Sequence, residues 1–317
     1  DLRMSRGLGD VYKRQEEECE KEETILSLIL LIGAVFLRIF SVSMGYVYQK
    51  KLTMKGCNAV VIVAVSYTML SLLCIPLMSV YGRPHPPSSF YYYGLIVGLL
   101  GALGNGFMVK ALKKGELSVL GPINSYKAVL GLFIAMIVLR EMPGFAGIIG
   151  IILIVWGSYF VLDTMGERFT LALLKNKEIQ YRFLALFFCS IEAVFIKKMI
   201  LLSSVWDVFV AWCFFGALFS IFLLKFEDIN VSKIKDVLST RNGAFFISIA
   251  ICVGIMQYTT NYIFERMNVA YALALFQLSA VVSVVLGHRI FAEKEIFKKT
   301  MGSLIMIAGA VLIVLYN

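Results

Sequence analysis

Charge is scarce in this chain: Asp, Glu, Lys and Arg make up 16% of 317 residues, hydrophobic residues make up 59%, and mean hydropathy is +0.82. So little charge cannot solvate a globule of this length, and the apolar residues come in runs near the roughly 20 residues that cross a bilayer. Histidine is scarcer still. His85 and His288 are too far apart in sequence to argue for a metal site. The cysteines form no CxxC pair, and Cys74, Cys189, Cys213 and Cys252 lie inside apolar runs, so they read as small packing residues. The sequence has no GxxxxGK[ST] phosphate loop, which leaves a gradient as the driving force for any transport. HExxH and GxSxG are also missing and no His lies mid-span, which argues against an intramembrane enzyme acting on lipid. No catalytic residue, metal or cofactor is expected.

What is present is a repeat. The stretch Glu116 to Gly157 recurs without a gap as Asn268 to Gly309, pairing Glu141 with Glu293, Gly150 with Gly302 and Gly157 with Gly309. Ser43, Val47, Lys50 and Lys51 return as Ser190, Val194, Lys197 and Lys198. A period this long is a duplicated half-molecule and not a solenoid unit. The apolar spans number ten: Thr24 to Gln49, Asn58 to Tyr81, Phe90 to Leu112, Leu117 to Leu139, Gly144 to Leu162, Tyr181 to Leu201, Val205 to Leu224, Gly243 to Phe264, Val269 to Leu286 and Ile296 to Tyr316. The expected fold is an all-α polytopic membrane protein with a polar lead-in (1–23), a first half (24–162), a connector (163–180) and a second half (181–317). Residues Asp1 to Gln15 share no character with the rest and read as appended sequence. Because five spans per half is odd, the halves enter the membrane from opposite sides, an inverted repeat of the kind that builds transporters.

The formal charge of +9 would point to nucleic acid in a soluble chain. Here most Lys and Arg sit in short loops, where they act as orientation signals and touch lipid headgroups, so no nucleic-acid partner is expected. Lys21, Arg83, Arg140, Lys197, Lys198 and Arg266 fall on the amino-terminal side of the membrane and most of the others on the opposite side, which by the positive-inside rule puts both chain ends outside the cytoplasm.

Five-helix halves, a Pro at position 122 early in the fourth span, Leu139-Arg140-Glu141 closing it and glycines in the next helix together resemble the drug/metabolite transporter superfamily. More narrowly, the chain resembles the ten-helix family built of two EamA domains, with Ala274 standing where a second Pro122 would be. The resemblance implies a basket of helices around a cavity lined by the first, third and fourth helices of each half. It also implies export of small metabolites or drugs across a cell membrane, expected to be a bacterial cytoplasmic membrane, with both ends inside. Nucleotide-sugar or sugar-phosphate exchange is the alternative within the superfamily.

Polar residues inside the spans agree with such a lining, since intramembrane charge is costly and faces a bundle interior or a water-filled path. Arg38, Lys127 and Glu192 are the charges well inside, with Asn105, Asn124, Gln257, Asn261 and Gln277 on the same helices. These eight are the candidate substrate-binding residues, with Glu192 expected to pair with Arg38 or Lys127 and to accept a coupling proton. Gly94, Gly98, Gly101 and Gly104 form a row on one face of the third span where another backbone can approach. Glu141 and Glu293 read as helix-end carboxylates, hydrated or capping the next helix.

Overall fold

Two breaks in otherwise apolar helices organise the molecule. The computed structural model describes residues 2–81, 86–127, 129–130, 145–162, 176–227, 240–267 and 269–316, with side chains described from Ile25 on. The first half consists of α1 (Leu2–Met54), α2 (Ala59–Tyr81), α3 (Ser88–Leu112), α4 (Leu117–Leu120) with a 3₁₀ turn over Pro122–Ser125, and α5 (Phe145–Leu162). The second half consists of α6 (Lys177–Leu202), α7 (Val205–Leu223), α8 (Thr240–Arg266), α9 (Val269–Phe276), α10 (Ser279–Phe291) and α11 (Ile296–Tyr316). No strand occurs among the described residues. The polar lead-in is itself helical, continuing α1 back to Leu2. Its Glu- and Lys-rich sequence favours helix, so the missing apolar period did not mark a helix boundary.

Local signals place the helix ends. Gly56, at φ +87, closes α1, and Cys57 N–H returns to Leu52 O at 3.1 Å. Asn58 then accepts from Val60 N–H at 2.8 Å to start α2. Asn176 caps α6 through Glu178 N–H, and Ser204 caps α7 through Asp207 N–H.

The fourth and ninth spans are discontinuous, which corrects the reading of each as one apolar helix. Pro122 has no N–H to offer the preceding turn, and Asn124 N–H turns back to Gly121 O at 3.0 Å. In the ninth span no proline is needed. Gln277 donates its own amide to Leu273 O at 3.0 Å, occupying the carbonyl its backbone N–H would use in a continuous helix.

Helix contacts obey a pseudo-two-fold relation. α3 packs along α6 as α1 packs along α8, while α2 meets α7 and α5 meets α11. At the last seam the glycines cross: a Cβ on Gly157 would come 2.7 Å from Gly302 O, and one on Gly309 would come 2.6 Å from Gly150 O. Because Gly157 is the repeat mate of Gly309, and Gly150 of Gly302, these are one contact made twice.

Five described helices are long and apolar enough to cross a membrane by length and composition: Ile25–Met54, Ala59–Ser79, Ser88–Leu112, Val205–Phe226 and Gly243–Arg266. Large apolar side chains such as Leu72, Trp156, Phe222 and Ile251 point outward and are exposed. A lipid-facing surface requires that inversion of the soluble pattern.

Candidate functional site

Where the halves meet, a cavity of about 90 Å³ is lined from α1 by Arg38, Val42 and Tyr46, from α3 by Asn105, from the fourth span by Lys127, and from α6 by Cys189 and Glu192. Gln257 and Thr260 of α8, Phe276 of α9 and Trp212 of α7 complete the wall. The first, third and fourth spans of both halves thus contribute, with one aromatic from the seventh. Arg38 lies with its guanidinium 3.7 Å from the centre of the Phe276 ring and donates from Nε to Thr260 Oγ1 at 3.4 Å.

Glu192 accepts from Trp212 Nε1 at 2.8 Å and makes no ion pair with Arg38 or Lys127 among the described residues. The expected pairing is therefore corrected: a buried indole N–H satisfies the carboxylate, and an aromatic face satisfies the guanidinium. Lys127 lines the cavity with no hydrogen bond or ion pair among the described residues.

Five of the eight sequence-predicted residues, Arg38, Asn105, Lys127, Glu192 and Gln257, converge on the cavity. The other three support it. Asn261 is fully buried, accepts from Gln257 Nε2 at 2.9 Å and donates to Val205 O at 3.5 Å. Asn124 donates to Gln277 Oε1 at 3.1 Å, so the two broken helices touch at their breaks. Asn124 also accepts from Arg182 Nη2 at 3.1 Å, so its amide is engaged on both sides and Lys127 lines the cavity without it.

One cation was missed. Arg182 is 3% exposed and donates to Leu120 O (2.9 Å), Met108 Sδ (2.8 Å) and Asn124 Oδ1 (3.1 Å). It occupies the carbonyl freed where α4 gives way to the 3₁₀ turn. It stands at the very start of the sixth span beside the polar connector, where mid-span polarity gives no signal.

Two clasps built on buried lysines join the halves at the face where α1 ends and α6 begins, called here the basic face. Glu293, in the turn after α10, accepts from Lys50 Nζ at 2.7 Å and from Leu117 and Ser118 N–H at 2.8 and 2.9 Å. It thereby caps α4 of the other half, which corrects the reading of Glu293 as hydrated or capping the helix that follows it. A Cβ on Gly287 would fall on this carboxylate, so the glycine makes room for it. The second clasp is Lys299, 1% exposed, with Glu116. Glu141, the repeat mate of Glu293, lies outside the described residues, as do Leu139 and Arg140.

Inverted five-helix halves, discontinuous helices touching near their breaks and a polar cavity at the repeat interface define a membrane transporter. The EamA-like transporter family matches residues 26–163 and again 176–315, and the chain belongs to it. That places it in the drug/metabolite transporter superfamily. A protein known from its crystal structure superposes with a TM-score of 0.61 at 17% identity, over 88% of this chain and 94% of the other, a likeness of fold alone. No curated protein matches the chain.

Proposed function

We propose that the protein is a secondary transporter that exports a small metabolite or drug bearing a carboxylate or phosphate, by alternating access through the cavity between its halves. The observation that carries this reading is Lys127, an ammonium that makes no hydrogen bond or ion pair among the described residues, in a cavity whose described carboxylate, Glu192, is already held by Trp212. A cation in a low-dielectric site that no hydrogen bond or ion pair engages is costly and invites an anion. Arg38, held on Phe276, adds a second positive centre to the same cavity. A proton at Glu192 changes the charge of the same cavity and is the candidate coupling ion.

A volume of about 90 Å³ is well below the ~300–1,000 Å³ of drug-sized sites, so substrate must enter as the halves rock apart. This favours a small solute over the nucleotide sugars handled elsewhere in the superfamily. A bacterial cytoplasmic membrane is the setting this reading assumes.

The test is transport by the purified protein in liposomes, with a panel of amino acids, nucleosides, sugar phosphates and cationic dyes under imposed proton gradients. Anionic solutes are expected to move, Lys127→Met to fold in the membrane without transporting, and Glu192→Gln to lose the pH dependence. Full transport by Lys127→Met would end the substrate-site claim.

A further inference from the structure

The basic face carries charge that neither the clasps nor the cavity uses. Between the end of α3 and the start of α6 lies a hollow of about 270 Å³, lined by four lysines, 110, 113, 114 and 177, against two carboxylates, Glu178 and Glu227. Glu227 is already occupied: Lys110 Nζ donates to one of its oxygens at 2.5 Å and Asn58 Nδ2 to the other at 3.0 Å. Burial alone would raise its pKa, but Asn58, Lys110 and the nearby Lys113 hold it below the ordinary carboxylate value, so it stays ionised and engaged. Glu178 sits in the first turn of α6, where the helix dipole already favours a negative charge. Lys113, Lys114 and Lys177 are exposed at the rim with no hydrogen bond or ion pair among the described residues. Tyr181 forms part of the wall, its ring stacked 5.9 Å from that of Phe107.

We propose that this hollow binds the phosphate of an anionic ligand, received by Lys113, Lys114 and Lys177. Three separate ammonium groups need more acceptor oxygens than one carboxylate carries, and a phosphate supplies them. The volume equals about nine waters at ~30 Å³ each, which leaves room for a glycerol- or sugar-sized group beyond the phosphate itself. Position at a membrane face rich in Lys and Arg admits two sources of that chemistry, the headgroup of an anionic phospholipid and a soluble phosphate ester. This site stands apart from the central cavity, whose lining includes none of these lysines.

The experiment uses the full chain in a neutral detergent. Its thermal unfolding midpoint is recorded with added phosphatidylglycerol, phosphatidylcholine, glycerol 3-phosphate or sodium chloride at matched ionic strength, and retained lipid is counted by native mass spectrometry. Phosphatidylglycerol is expected to raise the midpoint and stay bound, with phosphatidylcholine and chloride inert. In Lys113→Gln/Lys114→Gln/Lys177→Gln, three exposed changes that should leave the ligand-free midpoint in place, apparent affinity should fall roughly a hundredfold, about fivefold per lysine. A shift with glycerol 3-phosphate and none with phosphatidylglycerol would identify the soluble ester as the ligand. Equal shifts in parent and triple variant, or no shift with either phosphate compound, would overturn the site.

Discussion

Glu293 belongs to the second half by sequence, yet its carboxylate's partners Lys50, Leu117 and Ser118 all belong to the first. Both charges of the clasp are largely withdrawn from solvent, with side-chain exposures of 10% for Lys50 and 5% for Glu293. Removing one partner of such a pair leaves the other without compensation, at a cost of about 3–5 kcal/mol, whereas removing both charges costs much less. Glu293→Gln, which strands Lys50, should therefore lower the unfolding midpoint in detergent more than Lys50→Met/Glu293→Gln does. If the double variant is the less stable, the pair is not what holds this corner. Burial by itself would raise the Glu293 pKa, but the Lys50 ammonium and the Ser118 N–H outweigh it and bring it below the ordinary value. A depressed folded-state pKa contributes stability above the unfolded value of about 4.3, and that stability is lost as pH falls through the lower folded value. The midpoint difference between parent and double variant should thus stay flat from about pH 8 to pH 5 and shrink only below about pH 4.

Among the helices, α3 shows what the sequence could disclose. Its glycine row predicted close approach, and the structure divides that row between two neighbours. A Cβ at Gly98 would come 2.7 Å from the backbone carbon of Phe215 in α7, while one at Gly104 would come 2.7 Å from Cys189 Sγ in α6. Gly98→Leu forces α3 off α7 at a typical overpacking cost of about 1–3 kcal/mol and should reduce both transport and the unfolding midpoint. An unchanged protein would mean that the seam is looser than this geometry. The repeat, this row and the five long apolar helices that the structure describes were legible because each is a regular property of a stretch of sequence. The break at Gln277 was not, because it depends on one side chain competing for a carbonyl within an otherwise apolar run. Nor was the role of Arg182, whose three acceptors lie on α3 and the fourth span, far away in sequence. The cavity was half legible: mid-span polarity found Arg38, Lys127 and Glu192, but Trp212, which holds Glu192, looks like any other apolar residue of its span.

At the scale of the whole molecule the two halves are similar without being equivalent, and the inequality bears on which face rests closed. The first clasp has a counterpart in sequence at the opposite face, because Lys197 and Glu141 repeat Lys50 and Glu293. In this structure Lys197 donates to Phe264 O, within its own half. The second clasp has no counterpart at all, since the positions that repeat Glu116 and Lys299 are Asn268 and Gly147. Among the described residues the basic face has three ion pairs across the halves, the two clasps and Lys110–Glu227, and the repeat supplies a counterpart for only one of the clasps, which should bias the resting protein toward closure at the basic face. A net contribution of even about 1.4 kcal/mol from the clasps changes the population open at that face tenfold. Val42, an 8% exposed residue of the cavity wall lying between Arg38 and Lys50 on α1, reports on this. In a background with the native cysteines replaced, Val42→Cys should react slowly with a membrane-impermeant maleimide added at the basic face, and about tenfold faster once Lys50→Met and Lys299→Met are combined with it. The increase should be confined to reagent added from that side. Equal rates with and without the clasps would mean that the ion pairs hold the fold together and leave the access equilibrium to other contacts.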